Sequence, residues 1–262
     1  MALNRIECAH VTYSYEAHGR RETVLRDLSF TAADGEFLCI VGQSGCGKTT
    51  LLRLLAGLAF PDGGAVRVDG APVSGPGTDR AIVFQNSTLF PWMSVRKNVM
   101  FGIAQARKGL SKVETAALAD EYLERVDMLR AADKYPYQLS GGMRQRVALA
   151  RSLAMDTGIL LLDEPFGALD ARIRGELQRL LETLCTGEQQ KKTVIFVTHD
   201  IHEAVFLADR VLYMADGRIV RELPVDLPRP RGGLCCADAD RLCAARRELL
   251  GWFDRAETEV RA

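Results

Sequence analysis

Five short stretches of the chain, Phe37–Val41, Ile82–Phe84, Ile159–Leu162, Val194–Val197 and Val211–Met214, are apolar at nearly every position. A strand with one face in water alternates apolar and polar residues, whereas a strand covered on both faces does not. Runs of this kind predict the strands of a mostly parallel sheet flanked by helices, an α/β fold. Two Asp-Gly pairs, Asp69-Gly70 and Asp216-Gly217, lie between alternating segments. They predict hairpins, because two-residue hairpin loops demand positive φ angles that Asp and Gly tolerate. Antiparallel additions to the sheet are therefore expected near residues 65–75 and 211–222.

Composition narrows the class. A chain of 262 residues can bury about 75% of its unfolded surface, so it needs no disulfide or metal staple. Its 47% hydrophobic and 26% charged residues are those of a soluble globular protein and argue against a disordered one. Lys plus Arg and Asp plus Glu are both 34. That balance argues against a dedicated nucleic-acid binder, which carries a basic excess or a basic block. The seven cysteines (8, 39, 46, 185, 235, 236 and 243) are irregularly spaced with no CxxC pair, which predicts a reducing compartment. No apolar run approaches the roughly 18 residues that span a bilayer, and the first ten residues lack a signal-peptide core. Any service to a membrane is expected to go through a partner.

Residues 94–135 carry helical signals. Ser111 followed by Glu114 is a capping box, and Val113, Ala116, Ala117, Tyr122, Leu123 and Val126 follow at mostly helical spacing. They predict an α-helical insertion, placed at about residues 86–158. Pro, Arg and Gly crowd residues 224–233 and read as a linker. Beyond it, Leu242, Ala245, Leu249, Trp252 and Phe253 predict an amphipathic tail helix. The expected organisation is a main domain over residues 1–225, then linker and tail over 226–262.

Gly42-Gln43-Ser44-Gly45-Cys46-Gly47-Lys48-Thr49 follows the strand at 37–41 and precedes the helical stretch from Thr50 to Leu55. This is the strand–GxxxxGK[ST]–helix phosphate loop in its proper context. Glycines let the backbone wrap a phosphate chain with its N–H groups inward, and the helix N-terminus adds partial positive charge. Lys48 is expected on the β- and γ-phosphates and the Thr49 hydroxyl on Mg²⁺. The strand Ile159–Leu162 ends in Asp163 and Glu164. Asp163 is expected to hold the metal and Glu164 to polarise the attacking water. The predicted fold is thus a P-loop NTPase core with antiparallel β additions and an inserted α-helical subdomain.

Leu139-Ser140-Gly141-Gly142-Met143-Arg144-Gln145-Arg146 precedes the Asp-Glu strand. In this LSGG stretch the chain strongly resembles the ATP-binding subunit of an ABC transporter, over about residues 3–225. Ser140 is independently a natural N-cap, with Met143, Val147, Ala150 and Ala154 on one helical face. The resemblance implies further roles. Gln85 matches the Q-loop, which senses the nucleotide and ligates Mg²⁺. Phe166-Gly167-Ala168-Leu169-Asp170 matches the D-loop, and His199 the switch histidine. Tyr15, with Tyr13 as rival, stands where an aromatic ring stacks on adenine. Thr50 extends the phosphate site.

In that family two copies pair head to tail around ATP, so that Ser140, Gly141 and Gly142 of one copy complete the phosphate site of the other. Gln85 and the helical insertion meet the membrane permease subunits, which receive solute from a separate binding protein. Leu89–Met93, Tyr135–Met143 and Leu227–Arg231 look like the nitrate/sulfonate/taurine importer subgroup, which implies a small anionic solute. It also implies a seat on the cytoplasmic face of a bacterial inner membrane. No coiled coil occupies the stretch between Lys48 and Ser140, which argues against the DNA-repair and chromosome-organising members. A single cassette argues against the translation-associated ones, and Glu164 with His199 against a non-hydrolysing regulator. Cys46 reads as a small filler of the loop. Cys235, Cys236 and Cys243 lack a fourth ligand at zinc spacing.

Overall fold

The structure is a computed structural model that describes residues 4–17, 19–86, 88–167, 169–186, 191–231 and 236–261. The chain forms two compact units, residues 1–76 with 182–262, and residues 77–181.

In the first unit, β3 (Phe37–Val41) lies between β8 (Thr193–Thr198) and β9 (Arg210–Ala215), parallel to both. Every residue of β3 and β8 is buried, as apolar runs covered on both faces require. β10 (Arg218–Pro224) pairs antiparallel with β9. A second, antiparallel sheet has the order β2-β1-β4-β5, from Arg20–Ala33, Asn4–Ala17, Gly63–Val68 and Ala71–Pro72. Both Asp-Gly hairpins form, but only that at Asp216-Gly217 extends the sheet of β3; the one at Asp69-Gly70 lies in the second sheet and is not the expected addition to the parallel one. Val68 pairs with Ala71 and Ala215 with Arg218, leaving two-residue loops whose φ angles are 51° and 75° at Asp69-Gly70 and 47° and 74° at Asp216-Gly217. A Cβ on Gly217 would stand 2.2 Å from the Val24 carbonyl oxygen, so side-chain bulk is barred there as well.

The long hairpin of β1 and β2 goes beyond the sequence expectation. Its alternation is broken by bulges. In β1, Ile6 and Cys8 point inward, and the inward series resumes out of phase at Val11. In β2 the series runs Leu25, then Leu28, Phe30 and Ala32. His10 and Asp27 take up the slack at φ 52° and 54°, and His10 Nδ1 lies 2.7 Å from Asp27 Oδ1. A bulge restarts a strand's period, so counting by twos loses it.

In the second unit, β6 (Arg80–Val83) pairs in parallel with β7 (Ile159–Asp163). β6 was expected to include Phe84. The Phe84 carbonyl instead accepts from the Gln145 side chain at 3.4 Å, and the ladder stops at Val83. Three helices fill the rest: α2 (Val95–Ala106), α3 (Lys112–Arg125) and α4 (Gly141–Ala154). The capping box at Ser111 and Glu114 is present. The inward face of α3 is Thr115, Ala119 and Leu123, with Val126 just beyond. Of the expected series Leu123 and Val126 are buried, whereas Val113 and Ala117 are exposed and Ala116 and Tyr122 half-buried. Val113 is 79% exposed. Thr115 can be buried because its hydroxyl donates to the Ser111 carbonyl at 2.8 Å, which removes the penalty of an unpaired polar group. α4 carries Val147, Ala148, Leu149, Ala150, Leu153 and Ala154 all buried.

The unit boundary falls within α5 (Ala171–Thr186). In the first unit, α1 (Lys48–Leu55) follows β3 and α6 (Ile201–Leu207) follows β8. The tail helix, α7 (Cys236–Arg261), buries Leu242, Leu249 and Trp252, with the Trp252 and Phe253 rings 6.0 and 5.1 Å from that of Tyr213. The stretch read as a linker is tied down: Val225 N–H donates to the Asp209 carbonyl at 2.8 Å, and Arg229 pairs with Asp209. Leu249→Ala is therefore expected to lower the unfolding free energy by about 2–5 kcal/mol, as a core truncation does, measured by urea unfolding. No described helix is long and apolar enough to cross a membrane.

Candidate functional site

The phosphate loop belongs to the first unit. It leaves β3 at Val41 and turns through Gly45 and Gly47, at φ 83° and 108°. Gly47 is the N-cap of α1 and supplies no side-chain acceptor, so the first-turn N–H groups are left for a ligand. Lys48 is only 6% exposed. Its ammonium donates to the Gly42 and Gln43 carbonyls, each at 2.8 Å, and lies 3.8 Å from Cys46 Sγ. No carboxylate is among these partners. A buried cation with no carboxylate partner among the described residues suits a polyanion such as a phosphate chain. Burial pushes the Cys46 thiol above its ordinary pKa, although Lys48 pulls against it. The thiol stays protonated at neutral pH, which accords with the filler reading.

A cavity of about 580 Å³ adjoins this loop, lined among others by Val24, Gln43, Ser44, Met214 and Asp216. The Tyr15 hydroxyl lies 3.2 Å from Thr50 Oγ1, so this ring borders the start of α1. Tyr13 packs edge-on against Tyr15, with centroids 5.0 Å apart. Thr49 is exposed on the first turn of α1. His199 is exposed between β8 and α6. Beside it Asp200 caps α6, accepting from the His202 and Glu203 N–H groups, and Thr198 Oγ1 donates to buried Glu203 at 2.7 Å. The histidine's backbone is thus bracketed by two tight polar contacts.

The second unit holds the other residues. Asp163 is the last residue of β7 and is buried. Glu164 follows in the left-handed region at φ 45°, a conformation that costs a residue with a Cβ about 1–2 kcal/mol. Gln85 Nε2 donates to Glu164 Oε2 at 3.2 Å, so two residues far apart in sequence meet. Ser140 caps α4, accepting from the Met143 N–H at 3.3 Å. Ser140, Gly141, Gly142 and Asp170 line one pocket of about 520 Å³. Asp170 Oδ1 accepts from the Ile173 N–H at 3.0 Å and so starts α5. Asp127, absent from the sequence expectation, and Arg146, which closes the signature stretch without an expected role, share that pocket 3.5 Å apart. The only sequence signal for Asp127 is an Asp just past a helix end, where it adopts φ 55°.

Ala168 and Cys235 lie outside the described residues, as does the Cys236 side chain. Among the described residues, no group of three or more His, Cys, Asp or Glu side chains could hold a metal ion.

The loop, the acidic strand end and the capped signature helix define a nucleotide-binding P-loop protein. A model of the ABC transporter family matches residues 25–167. The ABC transporter ATP-binding protein MJ0412 of Methanocaldococcus jannaschii is 48% identical over 229 residues, covering 87% of this chain and 84% of that protein. The nitrate import ATP-binding protein NrtD of Synechococcus elongatus is 45% identical, covering 88% and 85%. The bicarbonate transport ATP-binding protein CmpC of the same species is 47% identical over 90% of this chain, which spans 36% of that longer protein. Among solved structures, the dimeric cassette MJ0796 aligns with a TM-score of 0.78 at 34% identity, over 84% of this chain and 98% of that one. A post-hydrolysis state of MJ0796 bound to ADP and Pi gives 0.77 at 33% identity, with the same two coverages.

The chain belongs to the ABC transporter family. It is an ATP-binding subunit of that family, and an ATPase.

Proposed function

We propose that this ATPase drives import of a small anion through separate permease chains. The observation that carries this reading is the pair of relatives named for nitrate import and bicarbonate transport, each 45% or more identical over nearly the whole chain. Both names specify small inorganic anions.

The residues take roles that suit their chemistry. Lys48 and the first-turn N–H groups of α1 hold the phosphates, and Tyr15 stacks on the adenine, a contact worth about 1–3 kcal/mol. Glu164 accepts the proton of the attacking water, Gln85 orients that water, and His199 donates to the γ-phosphate. Asp163, with Gln85 of the same unit, would hold Mg²⁺. A buried carboxylate with a neutral oxygen donor fits this ion. The ion supplies charge neutralisation at the phosphates. Two copies assemble head to tail, with Ser140, Gly141, Gly142 and Asp170 of each completing the other's site. The similarity to the MJ0796 cassette, whose structure is dimeric, supports this arrangement.

The permease docks on the second unit beside Phe90, Trp92 and Phe101. Trp92 is 69% exposed although its ring lies 5.5 Å from that of Phe90, an apolar cluster left open to water. A periplasmic binding protein delivers the anion, and the ATPase sits on the cytoplasmic face of the membrane. The test is uptake of labelled nitrate, bicarbonate, taurine and an alkanesulfonate by cells with and without the gene. Loss of uptake of one of them on deletion is expected. Undiminished uptake of all four overturns the anion reading and leaves the ATPase assignment standing.

A further inference from the structure

α6 is only seven residues long, and an isolated helix under about 12 residues is marginal in water. Its last carbonyls have no partner within the helix. They are met from a distant part of the chain. A terminal nitrogen of Arg231 lies 2.8, 3.2 and 2.7 Å from the carbonyl oxygens of Val205, Phe206 and Ala208. Arg229 donates to the carbonyl between them, that of Leu207. Four consecutive carbonyls at the end of α6 are therefore closed by two guanidinium groups, at the pole where a helix favours positive charge.

The clamp is itself anchored. Glu182, only 3% exposed, accepts from the Arg231 backbone N–H at 2.9 Å and from Arg229 at 3.3 Å. Asp209 accepts from Arg229 at 2.8 Å. Arg231 is 3% exposed, its second terminal nitrogen reaching the Val225 carbonyl. Buried polar groups are costly unless matched. Both terminal nitrogens of Arg231 are matched and only its Nε has no partner among the described residues, and the clamp converges on one short helix. The other end of that helix is Asp200, directly after His199.

We propose that Arg229 and Arg231 are positioning residues for ATP hydrolysis: by clamping the C-terminal end of α6 they fix where the chain places His199. This rests on the reading of His199 as a catalytic residue. A displacement of about 1 Å at a reacting group can cost on the order of 100-fold in rate. The clamp acts on the chemical step, and nucleotide binding at the phosphate loop does not depend on it.

The test compares Mg-ATP hydrolysis by the full-length chain with Arg231→Ala, Arg231→Lys, His199→Ala and the double variant of Arg231→Ala with His199→Ala. Hydrogen exchange of the amides in 201–208 is followed in parallel. Arg231→Ala is expected to lower kcat about tenfold or more, to leave KM for ATP within about twofold, and to speed exchange in α6 selectively. Arg231→Lys keeps a buried cation without the planar fork. It shows the same pattern at smaller size and decides the matter if the Ala variant does not fold. The loss is expected to vanish in the His199→Ala background, since both changes then act through one group. A merely structural role predicts a loss that persists there in full, and that result overturns the proposal. Unchanged kcat, or faster exchange spread through the whole unit, also overturns it. His199→Ala with undiminished kcat overturns the catalytic reading of His199 instead, and the clamp is then judged by α6 exchange alone.

Discussion

Replacing Lys48 by Ala is expected to abolish nucleotide-dependent behaviour while leaving the fold intact. The Lys48 ammonium is buried against two carbonyls with no carboxylate among its described partners, so its removal deletes a desolvated cation and breaks no ion pair among the described residues. A charge-assisted hydrogen bond is worth about 1.5–3 kcal/mol. Loss of one or two such bonds to phosphate oxygens weakens ATP binding by roughly 10- to 1,000-fold or more. Thermal unfolding measures this directly. ATP at 100 times its Kd stabilises a folded protein by about 2.7 kcal/mol, so the wild type melts higher with ATP. At the same ATP concentration the variant's stabilisation should fall to about 1.4 kcal/mol for a 10-fold loss of affinity and to about 0.1 or less for a 1,000-fold loss. A variant that keeps the wild-type shift would show that the phosphates lie elsewhere.

Glu164→Gln should separate binding from hydrolysis. Glutamine keeps the side chain's size and an oxygen that can accept from Gln85 Nε2, which now lies 3.2 Å from Glu164 Oε2. The left-handed backbone at this position strains both residues alike. The proton acceptor alone is lost. General-base removal costs about 10²–10⁴ in rate, so turnover falls by that factor while ATP affinity is kept. ATP then persists between two copies, and sizing chromatography with ATP and Mg²⁺ should show a dimer. A variant that hydrolyses at the wild-type rate overturns the assignment of the base. One that remains monomeric with ATP, even with its membrane partner present, overturns the sandwich.

Much of this architecture is legible in the sequence, for local reasons. Fully buried strands such as β3 and β8 announce themselves as apolar runs, and the Asp69-Gly70 and Asp216-Gly217 turns carry the residues their φ angles demand. The phosphate loop is equally local. What escapes is non-local or out of phase. The β1–β2 hairpin is hidden by the restarts at His10 and Asp27. The buried face of α3 is misread because Val113 is apolar yet exposed, and Thr115 is polar yet buried through a bond to its own helix cap. The contact of Gln85 with Glu164, and the clasp of Arg231 on the end of α6, join positions whose neighbourhood only folding creates. Residues 224–233 look like a linker by composition, because composition cannot tell an arginine that is solvated from one that is enclosed.

α2 crosses α4 at Gly102, where a Cβ would lie 2.7 Å from Arg151 Cγ and 3.2 Å from Met155 Cγ. The same Arg151 stands over the Phe90 ring at 5.7 Å. Buried Asn98 ties the turn holding Phe90 and Met93 onto α2 through bonds of 2.8–3.2 Å. Helices meshed this tightly cannot glide past one another without separating. A push delivered at the aromatic knob around Trp92 would therefore be borne by α2 and α4 together, and α4 runs from that contact for about 20 Å to the Ser140 cap.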